Sequence, residues 1–169
     1  AEERSCKIHG FGRPCWNLRC SSIYDITCDM RLVLDTDVVV AALRSPDGGS
    51  AALVRSLRQG RGTLLLSTVL LFEYEAICQL PEHRLAAGLT AQEVDSVLDG
   101  LVRLAERVET RFRWRPQLRD PSDEMVLETA VNGRVQALVT FNRRDFGVAP
   151  LRFGIEVLNP GETLRRMQT

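Results

Sequence analysis

The stretch Arg31-Leu32-Val33-Leu34-Asp35-Thr36-Asp37 decides the fold of this chain. Three consecutive apolar residues are typical of a short strand that is buried on both faces, as strands of parallel sheets are. The chain turns polar at Asp35 and apolar again from Val38 to Leu43, which predicts a helix directly after the strand. In an open parallel sheet the ligand crevice lies beyond the carboxyl ends of the strands. Asp35 is therefore predicted to lie at a functional site.

Strand and helix signals alternate through the rest of the chain. Further short apolar strands are predicted at residues 63–66, 137–140 and 155–158, and an alternating run at 111–115 predicts an edge strand. Four polar residues are placed to cap the helices that follow them: Ser50, Ser67, Thr90 (in a capping box with Glu93) and Asp120. The alternation predicts an α/β fold of three layers, α/β/α, around a central parallel sheet of four to five strands.

Size and charge limit the classes of protein that fit. A chain of 169 residues is long enough for one domain with a sizeable core. Its 22 basic and 22 acidic residues cancel, so net charge alone does not indicate nucleic-acid binding, although a local basic face is compatible with it. No apolar run reaches the roughly 18 residues of a membrane helix. We expect a cytoplasmic protein that has no membrane partner.

Residues 1–29 differ from the rest of the sequence. They lack helical or alternating apolar periodicity, and they carry four of the five cysteines. The gaps between those cysteines do not match the close pairing of a zinc site, and no secretory signal supports disulfides. We interpret residues 1–29 as a leader, tag or misassigned upstream segment outside the fold, and residues 30–169 as the folded domain. An accessory arm that contacts a partner is the alternative interpretation.

Further regions carry acidic side chains at positions comparable to that of Asp35. Glu73 lies near the start of a predicted helix, on the side opposite Glu75, because residues two apart on a helix point about 200° apart. Asp123 shares a helix face with Leu127 and Ala130, so it should point inward. Acids that converge on one edge of a sheet indicate a site for a divalent metal.

Neighbouring polar residues have simpler explanations. Asp37 is predicted to cap the first helix, Asp120 to cap a later one, and Glu124 to be exposed. After the strand at 137–140, Asn142 and Asp145 can reach toward the same crevice, although a polar loop explains them equally well.

No other chemistry is supported as well by this sequence. His83 has no acidic or nucleophilic partner at a recognisable spacing. Cys78 lies on an apolar helix face and is interpreted as a core residue, because a reactive thiol needs an electropositive environment.

These motifs resemble those of the PIN-domain family, the Mg²⁺-dependent ribonucleases that include many toxins of bacterial toxin–antitoxin systems. Leu34-Asp35-Thr36-Asp37 resembles the opening strand motif, whose third residue is more often Asn. The run from Ser67 to Tyr74 is similar to the helix with the invariant acid, and Arg119-Asp120-Pro121-Ser122-Asp123 to the third motif. The run from Val139 to Phe146 resembles the fourth, with Asn142 where many members have Asp.

The resemblance, which spans residues 31–160, implies a PIN-like fold and an endoribonuclease that uses Mg²⁺ or Mn²⁺. It implies catalytic or metal-binding roles for five residues: Asp35, Glu73, Asp123, Asn142 and Asp145. It also implies RNA as the substrate and a cognate antitoxin as a protein partner. Three arginines are candidates for contacts with the RNA backbone: Arg44, Arg143 and Arg144.

Two alternatives remain open from sequence. Asp35-Thr36-Asp37-Val38 is also similar to the nucleophile motif of haloacid-dehalogenase-type phosphatases, but that family needs a downstream lysine and Lys7 is the only lysine here. The other alternative is a PIN-like module that is catalytically inactive and acts by binding a protein partner or RNA, an interpretation favoured by Asn142. The amphipathic helix predicted from Thr90 to Val108, with Leu85 and Leu89 nearby, is a candidate surface for a partner or a homodimer.

Overall fold

Five short strands build the centre of the protein in this computed structural model, which describes residues 30–113 and 115–168. In this part of the chain the strands are β1 (Arg31–Leu34), β2 (Thr63–Ser67), β3 (Glu106–Val108), β4 (Ala137–Val139) and β5 (Glu156–Leu158). They form one parallel sheet in the order β3-β2-β1-β4-β5. The interpretation of residues 1–29 concerns a segment outside the described residues.

The apolar run of β1 explains why it is the central strand. Leu32, Val33 and Leu34 point to alternate faces of the sheet, and all three are completely buried. Both faces of the sheet are therefore covered, which confirms the predicted three-layer α/β/α fold. Leu34 pairs with Val139, so β1 and β4 end side by side. The residues that follow these two strands, Asp35 and Thr140, emerge next to each other.

Helices fill the connections between these strands, and a last helix follows β5. In the described ranges they are α1 (Thr36–Arg44), α2 (Gly49–Arg58), α3 (Thr68–Cys78), α4 (Pro81–Ala87), α5 (Ala91–Leu104), α6 (Pro121–Gly133), α7 (Arg143–Phe146), α8 (Ala149–Arg152) and α9 (Pro160–Arg166). Helix α6 packs across β1, β2 and β4, whereas α2 packs against α1 and α9. None of the helices described has the length and apolar character needed to cross a bilayer.

The helix caps follow the sequence at three of the four predicted positions. The Ser67 hydroxyl accepts a hydrogen bond from the Leu70 N–H, Thr90 forms its capping box with Glu93, and the Asp120 carboxylate accepts from the Ser122 N–H. The prediction for Ser50 is wrong, because Gly48 is the N-cap of α2 and Ser50 is buried in its first turn. The Ser-Pro-Asp-Gly-Gly turn is shorter than the sequence suggested.

Two element boundaries also differ from the sequence prediction. Helix α5 ends at Leu104 rather than Val108, because residues 106–108 pair with β2 as the edge strand β3. Within α5, Val94, Leu98 and Leu101 belong to the core, whereas Val97 and Val102 are exposed. The short helices α4, α7, α8 and α9 were not predicted, since each is too short to show a clear helical period.

The predicted edge strand at 111–115 is wrong for a different reason. Its backbone is held by side chains of α6: the N–H groups of Arg111 and Phe112 both donate to the amide oxygen of Asn132, at 3.1 and 3.0 Å. The Asn132 amide in turn donates to the Phe112 carbonyl at 2.9 Å. The Asn132 side chain thus makes the hydrogen bonds to this backbone that a neighbouring strand would otherwise make.

Candidate metal-binding cleft

A cleft of about 620 Å³ opens at the carboxyl end of β1. Four carboxylate side chains line it, from the N-cap and first turn of α1, from α3 and from the first turn of α6: Asp35, Asp37, Glu73 and Asp123. Arg44, His83 and Ser122 also contribute to its wall. The acids predicted from three separate parts of the sequence therefore meet in one place.

Asp35 is the most deeply buried of these acids, with 7% of its surface exposed. One carboxylate oxygen accepts a hydrogen bond from the Thr36 N–H at 2.7 Å, and the other accepts from the Thr140 hydroxyl at 2.7 Å. Burial, reinforced by the neighbouring charge of Asp37, raises the pKa of Asp35 to about 7. Ionising Asp35 in the folded protein therefore costs free energy, and a cation bound in the cleft would offset this cost.

Asp37 corrects the sequence analysis, which assigned it the capping role. Asp35 is the N-cap of α1, because its backbone is extended at φ −75° and ψ 156°. Asp37 lies in the first turn and faces the cleft instead. Its Oδ2 accepts from the Phe141 N–H at 3.0 Å and lies 3.3 Å from the Thr140 hydroxyl, while its Oδ1 is buried without a hydrogen-bond partner.

Thr140 connects the two aspartates but has a single hydrogen to donate. Its hydroxyl oxygen already accepts a hydrogen bond from the Asn142 N–H at 2.8 Å. Only one of Asp35 and Asp37 receives the Thr140 hydrogen at a time. The other carboxylate is then short of donors, and burial raises the pKa of Asp37 above its ordinary value.

Glu73 and Asp123 complete the acidic wall from helices α3 and α6. Burial raises the pKa of Asp123 to about 6, and the charges of Asp120, Asp145 and Asp37 act in the same direction.

A hydrogen bond joins α3 and α6 where α3 begins, since the hydroxyl oxygens of Ser67 and Thr129 lie 2.8 Å apart. Thr129 donates its own hydrogen to the Met125 carbonyl, so Ser67 is the donor to Thr129.

Tyr74 fixes α3 to the strand that carries the site. It is fully buried, and its hydroxyl donates a hydrogen bond to the carbonyl of Leu34, the residue before Asp35. Burial, with the nearby charge of Asp35, raises the pKa of Tyr74 well above its ordinary value. Tyr74 therefore stays neutral and remains a donor.

The Tyr74→Phe variant tests this link. Because it removes a buried donor while keeping the ring, we expect it to lower the free energy of unfolding by about 1–2 kcal/mol. Urea denaturation at neutral pH measures this change. An unchanged denaturation midpoint would show that the Leu34 carbonyl does not depend on Tyr74.

Comparison with known proteins decides the family. A family model described as the PIN domain matches residues 31–144 of this chain. The chain belongs to the PIN-domain family.

Solved structures confirm the PIN-like fold. DNA-bound VapBC from Salmonella typhimurium matches with a TM-score of 0.56 at 16% identity, over 78% of this chain and 98% of the other. VapBC2 from Rickettsia felis, bound to a DNA fragment from its promoter, matches with a TM-score of 0.53 at 16% identity, over 77% and 98%. A search of curated protein sequences finds no match.

The fourth motif of this PIN domain lies at the rim of the cleft rather than on its wall. Asn142 precedes α7, and its side-chain amide donates to the Asp145 carboxylate. Both residues are exposed, and neither lines the cleft itself. The Asp145 charge nevertheless raises the pKa of both Asp37 and Asp123, so it lies within electrostatic reach of them.

The three candidate RNA-binding arginines occupy different settings. Arg44 lies in the cleft wall at the end of α1. Arg143 forms an ion pair with Glu162 of α9, so part of its charge is already neutralised. Arg144 is exposed on α7 and forms no ion pair in the described part of the chain. The structure thus places only Arg44 beside the acids.

Two residues of the PIN domain were misjudged from sequence. His83, which had no partner at a recognisable spacing, lies in the cleft wall because the short helix α4 packs against α1. Glu124 was predicted to be exposed but is 3% exposed, and its Oε1 accepts from the Leu118 N–H at 2.9 Å. Helical periodicity could not predict either position. Helix α4 is too short to show a period, and Glu124 contacts the segment before α6, which has no periodicity.

The cleft fits a divalent metal by its chemistry. Carboxylate oxygens are the ligands preferred by Mg²⁺ and Mn²⁺. The buried Oδ1 of Asp37 has no hydrogen-bond partner, and the raised pKa values of Asp35 and Asp123 indicate uncompensated negative charge. Across residues 30–113 and 115–168, no three His, Cys, Asp or Glu side chains are gathered closely enough to hold one ion. Mg²⁺ commonly keeps several waters and uses only one or two carboxylates, so the two observations are compatible.

Proposed function

We propose that this PIN domain is an endoribonuclease that uses Mg²⁺ or Mn²⁺ to hydrolyse RNA phosphodiester bonds. The convergence of Asp35, Asp37, Glu73 and Asp123 on one cleft is the observation that supports this function best. Membership of the PIN-domain family supports nuclease activity in general. The choice of RNA and of these metals is our proposal.

In this proposal one or two of Asp35, Glu73 and Asp123 bind the metal directly and the others bind it through its waters, while Asn142 and Asp145 assist from the rim. Asp37 joins them because its buried Oδ1 has no other partner. A divalent ion held there would supply a more acidic water and would offset negative charge on the scissile phosphate. The contribution of the chain is to bring the acids together before substrate arrives, so that little reorganisation accompanies the reaction.

The remaining side chains orient the acids and the substrate. Thr140 holds a carboxylate oxygen of Asp35 at 2.7 Å and thereby fixes its rotamer. Arg44 lies in the same wall as the acids, where its guanidinium can contact an RNA phosphate. Arg143 and Arg144 would act further out, along the backbone of a bound strand.

We also propose a protein partner for this domain, a cognate antitoxin. The two solved structures described above are VapBC complexes bound to DNA, and the toxin role is proposed on that basis. Exposed apolar side chains support a protein contact, either with an antitoxin or with a second copy: Val69, Phe72, Leu80, Leu85 and Val97. These residues lie on α3, α4 and α5 or between them.

Cleavage of a mixed pool of single-stranded RNA tests the function. We expect cutting with Mg²⁺ or Mn²⁺, and none with EDTA. Calorimetric titration with Mn²⁺ measures metal binding in parallel. If metal binds and no RNA is cut, the proposed substrate is wrong; if neither occurs, the domain is a binding module rather than a nuclease.

A further inference from the structure

A second cavity, at the opposite end of α6 from Asp123, is rich in arginine. Its volume is about 680 Å³, and four arginines line it, from β1, β3, the segment after β3 and the end of α6: Arg31, Arg107, Arg111 and Arg134. Glu109 is the single acid in its lining. Excess positive charge in a concave surface attracts anions.

Ion pairs neutralise only part of this charge. Arg31 pairs with Glu106 at 2.8 Å, and Arg111 pairs with Glu109 at 3.0 Å. Arg107 and Arg134 form no ion pair with any residue that the structure describes. Both therefore keep a full charge available to a ligand.

The segment between β3 and α6, described at residues 109–113 and 115–120, leads from this cavity toward the acidic cleft. Three side chains of α6, spaced four residues apart on one face, hold it: Asn132 binds residues 111 and 112, Glu128 pairs with Arg115, and Glu124 accepts from residues 117 and 118. The segment thus runs along α6 from its C-terminal end to its N-terminal end. Glu124 and Glu128 are buried, so these anchors are part of the folded structure.

This anchoring leaves other arginines of the segment facing solvent. The Arg115 guanidinium donates a hydrogen bond to each carboxylate oxygen of Glu128, at 2.9 and 3.0 Å. Arg113 and Arg119 are exposed and form no ion pair within the described residues. We call Arg107, Arg113, Arg119 and Arg134 the arginine track.

Helix α6 connects the arginine-rich cavity with the cleft. Ten residues of α6 separate Gly133, in the lining of the arginine-rich cavity, from Asp123, in the wall of the cleft. At 1.5 Å per residue this is about 15 Å, which a few nucleotides of single-stranded RNA can span.

We propose that the arginine track binds the phosphates of single-stranded RNA that extends beyond the catalytic cleft. This inference rests on the proposed ribonuclease function and adds a second, non-catalytic contact to it. Arginine contacts to phosphate provide affinity without sequence choice. The track thus favours RNAs long enough to reach from the cleft to the cavity.

The test compares RNA lengths in a double variant, Arg107→Gln/Arg134→Gln. The matched control is Arg58→Gln/Arg165→Gln, which removes two exposed arginines from α2 and α9. Fluorescence anisotropy with Ca²⁺ in place of Mg²⁺, so that a cation compensates the acids of the cleft, measures binding of RNAs of about four and about sixteen nucleotides. A second double variant, Arg107→Gln/Arg113→Gln, is used if the first does not fold.

We expect the track variant to bind the longer RNA on the order of tenfold more weakly than wild type, with unchanged affinity for the shorter one. The slope of log affinity against log salt should become shallower by about 0.7 for each phosphate that the variant no longer neutralises. The control variant should match wild type at both lengths.

Four results would overturn the proposal. Equal loss of affinity in the track and control variants would show a general charge effect, and equal loss at both RNA lengths would place the arginines in the cleft contact. Tighter wild-type binding of single-stranded DNA than of RNA would assign the track to DNA. Cleavage assays on the same proteins distinguish this proposal from the proposed function. If binding depends on the track but no RNA is cut, the arginine track is supported and the nuclease function is wrong. If RNA is cut but binding does not depend on the track, the nuclease function is supported and the arginine track is wrong.

Discussion

Asp35→Asn should reduce metal-dependent RNA cleavage on the order of 1000-fold while the protein remains folded. Asparagine caps a helix as well as aspartate, so α1 should still begin at residue 36. The amide oxygen can keep the hydrogen bond from the Thr36 N–H, and Thr140 is then free to donate to Asp37. What the variant loses is the negative charge at the centre of the cleft.

The measurement is the initial rate of RNA cleavage with Mn²⁺, together with circular dichroism to verify folding. Asp99→Asn is the matched control, because Asp99 lies exposed on α5, where it pairs at 4.0 Å with Arg103. The control should cut RNA at the wild-type rate. Wild-type cleavage by a folded Asp35→Asn protein would remove Asp35 from the catalytic site.

The second large effect concerns pH and the stability of the metal-free protein. The pKa of Asp35 is raised to about 7 and that of Asp123 to about 6. The folded state therefore holds protons that the unfolded state releases as pH rises above about 4, the ordinary range of aspartate. Stability should fall through this window and level off above about pH 7, by a few kcal/mol in total.

Urea denaturation in EDTA at about pH 5 and about pH 8 measures this fall. The Asp35→Asn variant lacks the carboxyl with the more strongly raised pKa. Its free energy of unfolding, relative to that of wild type, should therefore increase from about pH 5 to about pH 8. Saturating Mg²⁺ at the higher pH should restore wild-type stability by about 2–3 kcal/mol and affect the variant less. A constant difference between wild type and variant across pH would show that Asp35 ionises freely in the folded protein.

Much of the site could be predicted from sequence because it follows from local rules. An apolar strand followed by an acid identified Asp35, and helix periodicity identified the inward faces of Glu73 and Asp123. The caps Ser67, Thr90 and Asp120 were recognised because N-capping depends on residues a few positions apart. Given these local assignments, the order of the strands in the sheet is enough to place the acids close together.

The tertiary structure alone decided which neighbouring polar residues face the cleft. Asp35 and Asp37 both suit an N-cap, and the backbone conformation at Asp35 chose between them. His83 reaches the cleft through the packing of α4 on α1, and Glu124 accepts hydrogen bonds from residues 117 and 118 of the aperiodic segment before α6. Local sequence determined four of the five described strands, the caps Ser67, Thr90 and Asp120, and three of the four acids that line the cleft. Long-range packing determined the rest, because burial and hydrogen-bond partners of a polar side chain depend on residues distant in sequence.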